Sequence, residues 1–155
     1  MSPSREAPTS PSIDPTPGLP PTVGLYSHAV PTPPGSNLVF IAGQLSVDAE
    51  GNAVAVGDFE GQMRTTFSNL EAVVTGSGGS MAGVMKMTTY LIDPDHIVRF
   101  YDERERLFKA LYPAGIYPAN TLLVVQRLVR PEFLIEVEAV VAVALPADLP
   151  EAQHG

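Results

Sequence analysis

The ten residues 134–143 read Leu-Ile-Glu-Val-Glu-Ala-Val-Val-Ala-Val and constrain the fold more than any other stretch of the chain. Side chains alternate across a strand, so Ile135, Val137, Ala139 and Val141 share one face while Leu134, Glu136, Glu138 and Val140 share the other. Both faces carry apolar residues. Such a strand has to be covered on both sides, and 155 residues suffice for one domain with a real core, not two. Whatever packs on the first face, the second needs its own cover, and oligomerisation is the simplest one.

Two helices are available for the first face. Asp58 is a suitable N-cap, and Phe59, Met63, Phe67, Leu70 and Val74 recur at helical spacing until Gly76, Gly78 and Gly79 end the run. The segment Gly76-Ser77-Gly78-Gly79-Ser80 follows a helix, whereas a phosphate-cradling loop precedes one, so it reads as a cap. Asp93-Pro94-Asp95 opens a second helix with the stripe Ile97, Phe100, Tyr101, Leu107, Phe108 and Leu111. Its remaining face is charged. Asp102 stands four before Arg106 and Glu105 four before Lys109, the spacing of a solvated, ion-paired surface.

Strands are expected at 23–30, at 38–42 after the loop Pro31, Pro33, Pro34 and Gly35, and as an edge strand within 45–56 around Asp48-Ala49-Glu50-Gly51-Asn52. A fourth covers 85–91, and 121–125 with 134–144 read as a closing pair joined by a turn near Arg130-Pro131. The predicted order is β-β-β-α-β-α-β-β, an α+β fold with two helices on one face of a mixed sheet. Residues 1–22 hold seven of the 16 prolines and are expected to be a flexible tail, leaving a domain over 23–146 and a C-terminal tail over 147–155.

Charge and composition remove several function classes. Nine Lys plus Arg against 17 Asp plus Glu give a net charge of −8, which repels phosphate backbones and excludes nucleic acid as a primary partner. There is no Cys, and His28, His96 and His154 are too scattered for a metal site. No apolar run approaches the ~20 residues of a membrane span, so no membrane partner is expected and the protein reads as cytoplasmic. No Ser-His-Asp arrangement, P-loop lysine or dinucleotide fingerprint is present, so no cofactor is expected.

Glu136 and Glu138 project from one strand face at a spacing that suits two carboxylates flanking a substrate. Glu138 is expected to pair with Arg127 or Arg130 across the hairpin. A carboxylate in a subunit cleft is partly desolvated, which raises its pKa and suits it to exchanging protons with a positioned water; Glu136 is assigned that role. Tyr26 and Ser27, in the first strand, can supply hydroxyl donors, and His28 reads as a strand-surface histidine.

Six short motifs in register, Gly24-Leu25-Tyr26-Ser27, Ala42-Gly43-Gln44, Asn69-Leu70, Lys86-Met87-Thr88, Pro118-Ala119 and Ile135-Glu136-Val137-Glu138-Ala139, resemble successive signatures of the RidA/YjgF family. The resemblance implies a chorismate-mutase-like fold, a homotrimer with a small-molecule cleft at each subunit interface, and cofactor-free hydrolysis of reactive enamines and imines to ketoacids and ammonia. It implies Glu136 and Tyr26 as catalytic residues, with Asn120, Gly43, Ala42, Tyr101 and Thr121 binding substrate. The chain departs from the pattern at Asn120, where the archetype has an arginine that grips the substrate carboxylate, at Ala42, which replaces a small hydroxyl residue, and at Tyr101, near the position of an asparagine. An imine, enamine or related conjugated substrate other than the archetypal 2-aminoacrylate is therefore expected. The alternatives are a non-catalytic ligand-binding or interaction trimer, and a natural-product tailoring or aminomuconate-type enzyme on the same scaffold. Ribonuclease activity, attributed to some members, is disfavoured by the acidic charge.

Overall fold

Asp58 opens the first helix as the sequence predicts: its side chain accepts a hydrogen bond from the Gly61 backbone N–H at 3.0 Å. The computed structural model describes residues 18–145. The expected N-terminal tail lies outside the described residues as far as residue 17, as do the C-terminal tail and His154. In chain order the elements are β1 (Ser36–Gln44), α1 (Phe59–Gly76), a short 3-10 turn at Met81–Gly83, β2 (Val84–Leu91), α2 (His96–Leu111), β3 (Ala119–Val124) and β4 (Ile135–Ala144).

The fold is α+β, with two helices on a mixed four-stranded sheet of order β1-β4-β2-β3. The doubly apolar strand β4 is central, antiparallel to both β1 and β2, while β3 runs parallel to β2. Phe59, Met63, Phe67, Leu70 and Val74 of α1 are buried against Ile135, Val137, Ala139 and Val141 of β4, so both predicted stripes meet in one core. Among the described residues no helix is long and apolar enough to cross a membrane.

Three local expectations are corrected. Residues 23–30 form no strand: the backbone bends, with the Tyr26 N–H on the Gly24 carbonyl at 3.0 Å, and Ser27 latches the segment to the start of β3 through Tyr117 O (2.6 Å) and Pro118 O (3.1 Å). Residues 45–56 make a tight turn with the single bridge Val47 to Ala53, because Asp48 satisfies the Glu50 and Asn52 N–H groups locally. β3 and β4 are not a pair. The α2 crossover carries the chain to the far edge of β2, where a parallel neighbour is the natural outcome.

Nor is the charged side of α2 a uniformly solvated surface. Glu103 is buried and accepts from Arg64 of α1 at 2.9 Å and from Arg106 at 2.8 Å, tying the helices together, and Arg104 is buried as well. Only Glu105 and Lys109 form the predicted exposed pair, at 3.2 Å.

Candidate active site

The sheet face turned away from the helices carries Glu136 and Glu138 of β4 beside Lys86, Thr88 and Tyr90 of β2. Its apolar residues have no cover within the protomer: Phe40 is 78 % exposed and Leu38 42 %. Cross-strand register sets Tyr90 opposite Glu136 and Thr88 opposite Glu138.

β1 approaches this cluster through an irregularity. Its pairing with β4 slips by one residue between Ile41 and Gln44, so Ala42 and Gly43 form a bulge. The bulge presses the Gly43 backbone onto the Glu136 carboxyl group; a Cβ on Gly43 would stand 2.7 Å from Glu136 Cδ, where ordinary contact begins at 3.4 Å. A side chain there would force the Glu136 carboxyl group to move. Asn69 fixes the chain beyond the bulge by donating to the carbonyls of Leu45 (2.9 Å) and Val47 (3.0 Å). From the other side, Gln62, fully buried on α1, donates to Glu132 O at 2.7 Å and accepts from Leu134 N at 2.8 Å, so it anchors the entry to β4 two residues before Glu136.

Glu136, Glu138, Tyr90, Arg127 and the 125–129 segment line a cleft of about 310 Å³. Burial holds the Glu136 pKa above the usual carboxylate value, and the charge of Glu138 adds to the shift. Desolvation, then the charges of Glu138 and Glu136, hold Tyr90 protonated to higher pH, while burial lowers Lys86 against the opposing pull of Glu138. The expected pairing of Glu138 with an arginine is not formed. Arg127 donates to the carbonyls of Leu128 and Val129, and Arg130 to Gly51 O with Glu132 3.5 Å away. A neighbouring depression lined by Phe40, Ala42, Lys86, Thr88 and Glu138 continues the same face.

The predicted site residues divide between two places. Gly43, Ala42, Glu136 and Thr121 belong to the open face, where Thr121 Oγ1 accepts from Lys86 Nζ at 2.9 Å. Asn120 points to the opposite face of β3, its Oδ1 accepting from the buried Thr89 hydroxyl at 3.0 Å. Tyr26 and Tyr101 are also away from Glu136. Tyr26 packs edge-on against His28, its hydroxyl meeting the Val23 N–H at 3.4 Å, and Tyr101 lines a cleft of about 280 Å³ between α2 and the 24–25 backbone. His28 Nε2 lies 2.8 Å from Pro20 O, His96 stacks on Phe59, and no metal-holding cluster occurs among the described residues.

Two buried polar residues beside these places escaped the sequence reading. Gln62 and Arg104 are polar residues standing on apolar helical stripes, Gln62 three after Phe59 and Arg104 midway between Phe100 and Phe108. A polar side chain at such a position is the signal that would have found them.

Comparison with known proteins identifies the fold and the family. The profile of the Endoribonuclease L-PSP family matches residues 18–143. A RutC family protein of Pyrococcus horikoshii is 31% identical over 125 residues, 81% of this chain and 92% of that protein. A 2-iminobutanoate/2-iminopropanoate deaminase of Dermatophagoides farinae is 29% identical over 74% of this chain and 81% of its own. Among solved structures, a Rid family protein of unknown function from Yersinia pestis superimposes with a TM-score of 0.75 at 29% identity, covering 87% of this chain and 99% of that one. TdcF of E. coli with bound serine gives 0.62 at 26% identity, over 79% and 91%.

Proposed function

We propose, from the premise that this chain belongs to the Endoribonuclease L-PSP family, also called RidA/YjgF, that it is a cofactor-free hydrolase of small imines or enamines. The observation that carries the reading is the Glu136 carboxyl group, desolvated in an open cleft, seated on a glycine bulge and raised in pKa by burial and by Glu138.

The chemistry needs little else. A protonated imine is already electrophilic; Glu136 orients a water and takes its proton as the oxygen bonds to the imine carbon. Proton transfer to nitrogen then lets the C–N bond break, giving a carbonyl compound and ammonia, and an enamine enters the same path after protonation at carbon. A base with a pKa raised above the usual carboxylate value suits both transfers. Tyr90, opposite Glu136 and still protonated, is a donor for the developing amine.

The relative named as an iminobutanoate/iminopropanoate deaminase supports this class of substrate. The family's printed name refers to ribonuclease activity, but a net charge of −8 disfavours a polyphosphate substrate. The exposed Phe40 and Leu38 support a homotrimer that buries the open face, bringing the Glu136 half-site of one copy beside the Tyr26, Tyr101 and Asn120 half-site of another.

The test is ammonia release from enzymatically generated 2-iminobutanoate. Glu136→Gln should lose turnover by at least 100-fold while keeping its circular dichroism and oligomeric mass. Full turnover in that variant would end the assignment, and turnover absent even in wild type would favour a binding protein.

A further inference from the structure

We propose that Arg104 is the binding group for an organic monocarboxylate, so that the substrate's acid end is held from α2 in the cleft beside Gly24 and Tyr101. The proposal deepens the hydrolase reading and rests on it for the chemistry that follows binding, though the binding itself can be measured alone.

Arg104 is 2 % exposed. Aromatic rings cover its guanidinium, with Phe100 5.1 Å, Tyr101 4.7 Å and Phe108 5.8 Å from Cζ to ring centroid. Such contacts balance the charge through the flat faces of the group but leave the N–H edge, with its fixed fork of donors, without acceptors. Nε is buried and has no hydrogen-bond partner, and no carboxylate pairs with Arg104 among the described residues. Every other arginine of α2 has one: Arg99 grips both oxygens of Glu60 through Nε and Nη2, and Arg106 holds Glu103.

Arg99 binds a carboxylate through its Nε and Nη2, whereas the buried Nε of Arg104 has no such partner. The Gly24 backbone lies close against this guanidinium. A Cβ on Gly24 would overlap Arg104 Nη2 and stand 3.1 Å from Tyr101 Cε1, so the backbone there forms a cradle that any side chain would fill. The adjoining cleft of about 280 Å³ is lined by Gly24, Leu25, Tyr101, Arg104 and Tyr117, with Glu105 and Lys109 paired at its rim. Burial lowers the Arg104 pKa, partly offset by Tyr101, Tyr26 and Tyr117, and a bound anion would reverse that shift.

A single guanidinium with the only nearby lysine already committed to Glu105 matches a planar monoanion, not a dianionic phosphate. Ser27 fastens the Gly24–Ser27 backbone to Tyr117 and Pro118, so the segment beside Arg104 is tied to the chain two residues before Asn120. A neutral amide at 120 is thus accompanied by a cation on the neighbouring helix.

The experiment titrates the full-length protein with 2-oxobutanoate, the stable keto counterpart of an imino acid, by calorimetry, with chloride and inorganic phosphate as controls. Wild type should bind the oxoacid at least tenfold more tightly than phosphate. Arg104→Met should weaken binding at least tenfold, Arg104→Lys should restore part of it, and Gly24→Ala should block it while keeping the charge. Melting curves identify any variant that fails to fold, and the Gly24 and lysine variants keep the test decisive if the methionine one does. No binding by wild type, or equal binding by folded Arg104→Met, overturns the proposal. Turnover of an imine without oxoacid binding would sink the Arg104 site and spare the hydrolase reading. Arg104-dependent binding without turnover would do the reverse.

Discussion

Adding one methyl group at Gly43 tests the catalytic reading with little else disturbed. In Gly43→Ala the new Cβ would lie 2.7 Å from Glu136 Cδ and 2.9 Å from its Cγ, against 3.4 Å for ordinary contact. The carboxyl carbon must retreat by roughly 0.7 Å and its nearer oxygen by more, the scale of misplacement that can cost ~100-fold in rate, or about 2.7 kcal/mol of transition-state stabilisation. Glu136 is only partly buried and can swing into the open cleft, so the fold should lose only about 1–2 kcal/mol, the low end for overpacking. The assay pairs kcat for ammonia release from 2-iminobutanoate with thermal melting. We expect kcat to fall by about two orders of magnitude while the melting temperature drops by a few degrees. Unchanged kcat in a folded Gly43→Ala protein would refute the claim that the bulge positions Glu136, and collapse of the fold would show that Gly43 serves packing instead.

The remaining expectations concern titration, the entry to β4 and the open face. The native state holds the Glu136 proton more tightly than the unfolded chain does, so its contribution is a loss of stability that sets in above the unfolded carboxylate's pKa and is complete once pH passes the raised native value. Glu136→Gln should therefore melt with wild type at about pH 3 and above it at pH 7, and no such crossover means that Glu136 is not strained by its burial. Glu138→Gln should shift the acid limb of the kcat profile to lower pH, since it removes the second cause of the Glu136 shift. Gln62→Leu leaves Glu132 O and Leu134 N without their partner and should cost about 1–3 kcal/mol in urea unfolding. Phe40→Asp should reduce the light-scattering mass to that of one chain with unchanged circular dichroism, because Phe40 is 78 % exposed within the protomer; an unchanged mass would place the subunit contact elsewhere.

The core was legible because its two periodicities are long and clean. Phe59 to Val74 repeats at helical spacing and Ile135 to Val141 alternates, and the structure sets one against the other. Pairing was less legible. Residues 121–125 and 134–144 are consecutive strand-like segments, and the general preference for neighbours in sequence to pair misled the reading; the crossover through α2 instead sends β3 to the edge of β2. Residues 23–30 have strand-like composition, yet local hydrogen bonds and the Ser27 latch serve their backbone better than a ladder would. Glu136 was singled out from strand alternation together with the family resemblance, while Arg104 was passed over because the charges of α2 were read by their spacing from each other and not by their place on the Phe100 to Phe108 stripe.

Alternation also decides how the site can be assembled. Asn120 and Thr121 are consecutive in β3, so their side chains leave opposite faces of the sheet, toward Thr89 and toward Lys86. Glu136 shares the face of Thr121, whereas Arg104 lies on the helix side with Tyr26 and Tyr101. With the sheet between them, one small molecule can touch Glu136 and Arg104 together only if they come from different copies of the chain. Mixed oligomers expose this directly. Glu136→Gln and Arg104→Met chains, each inactive alone, should regain activity when denatured together in equal amounts and refolded. In a closed ring each site takes Glu136 from one copy and Arg104 from its neighbour, so random assembly should restore about a quarter of the wild-type sites. Zero recovery from folded mixed oligomers would mean that both groups act within one protomer or that Arg104 does not act on substrate. Recovery near a quarter would require a site shared between neighbouring copies.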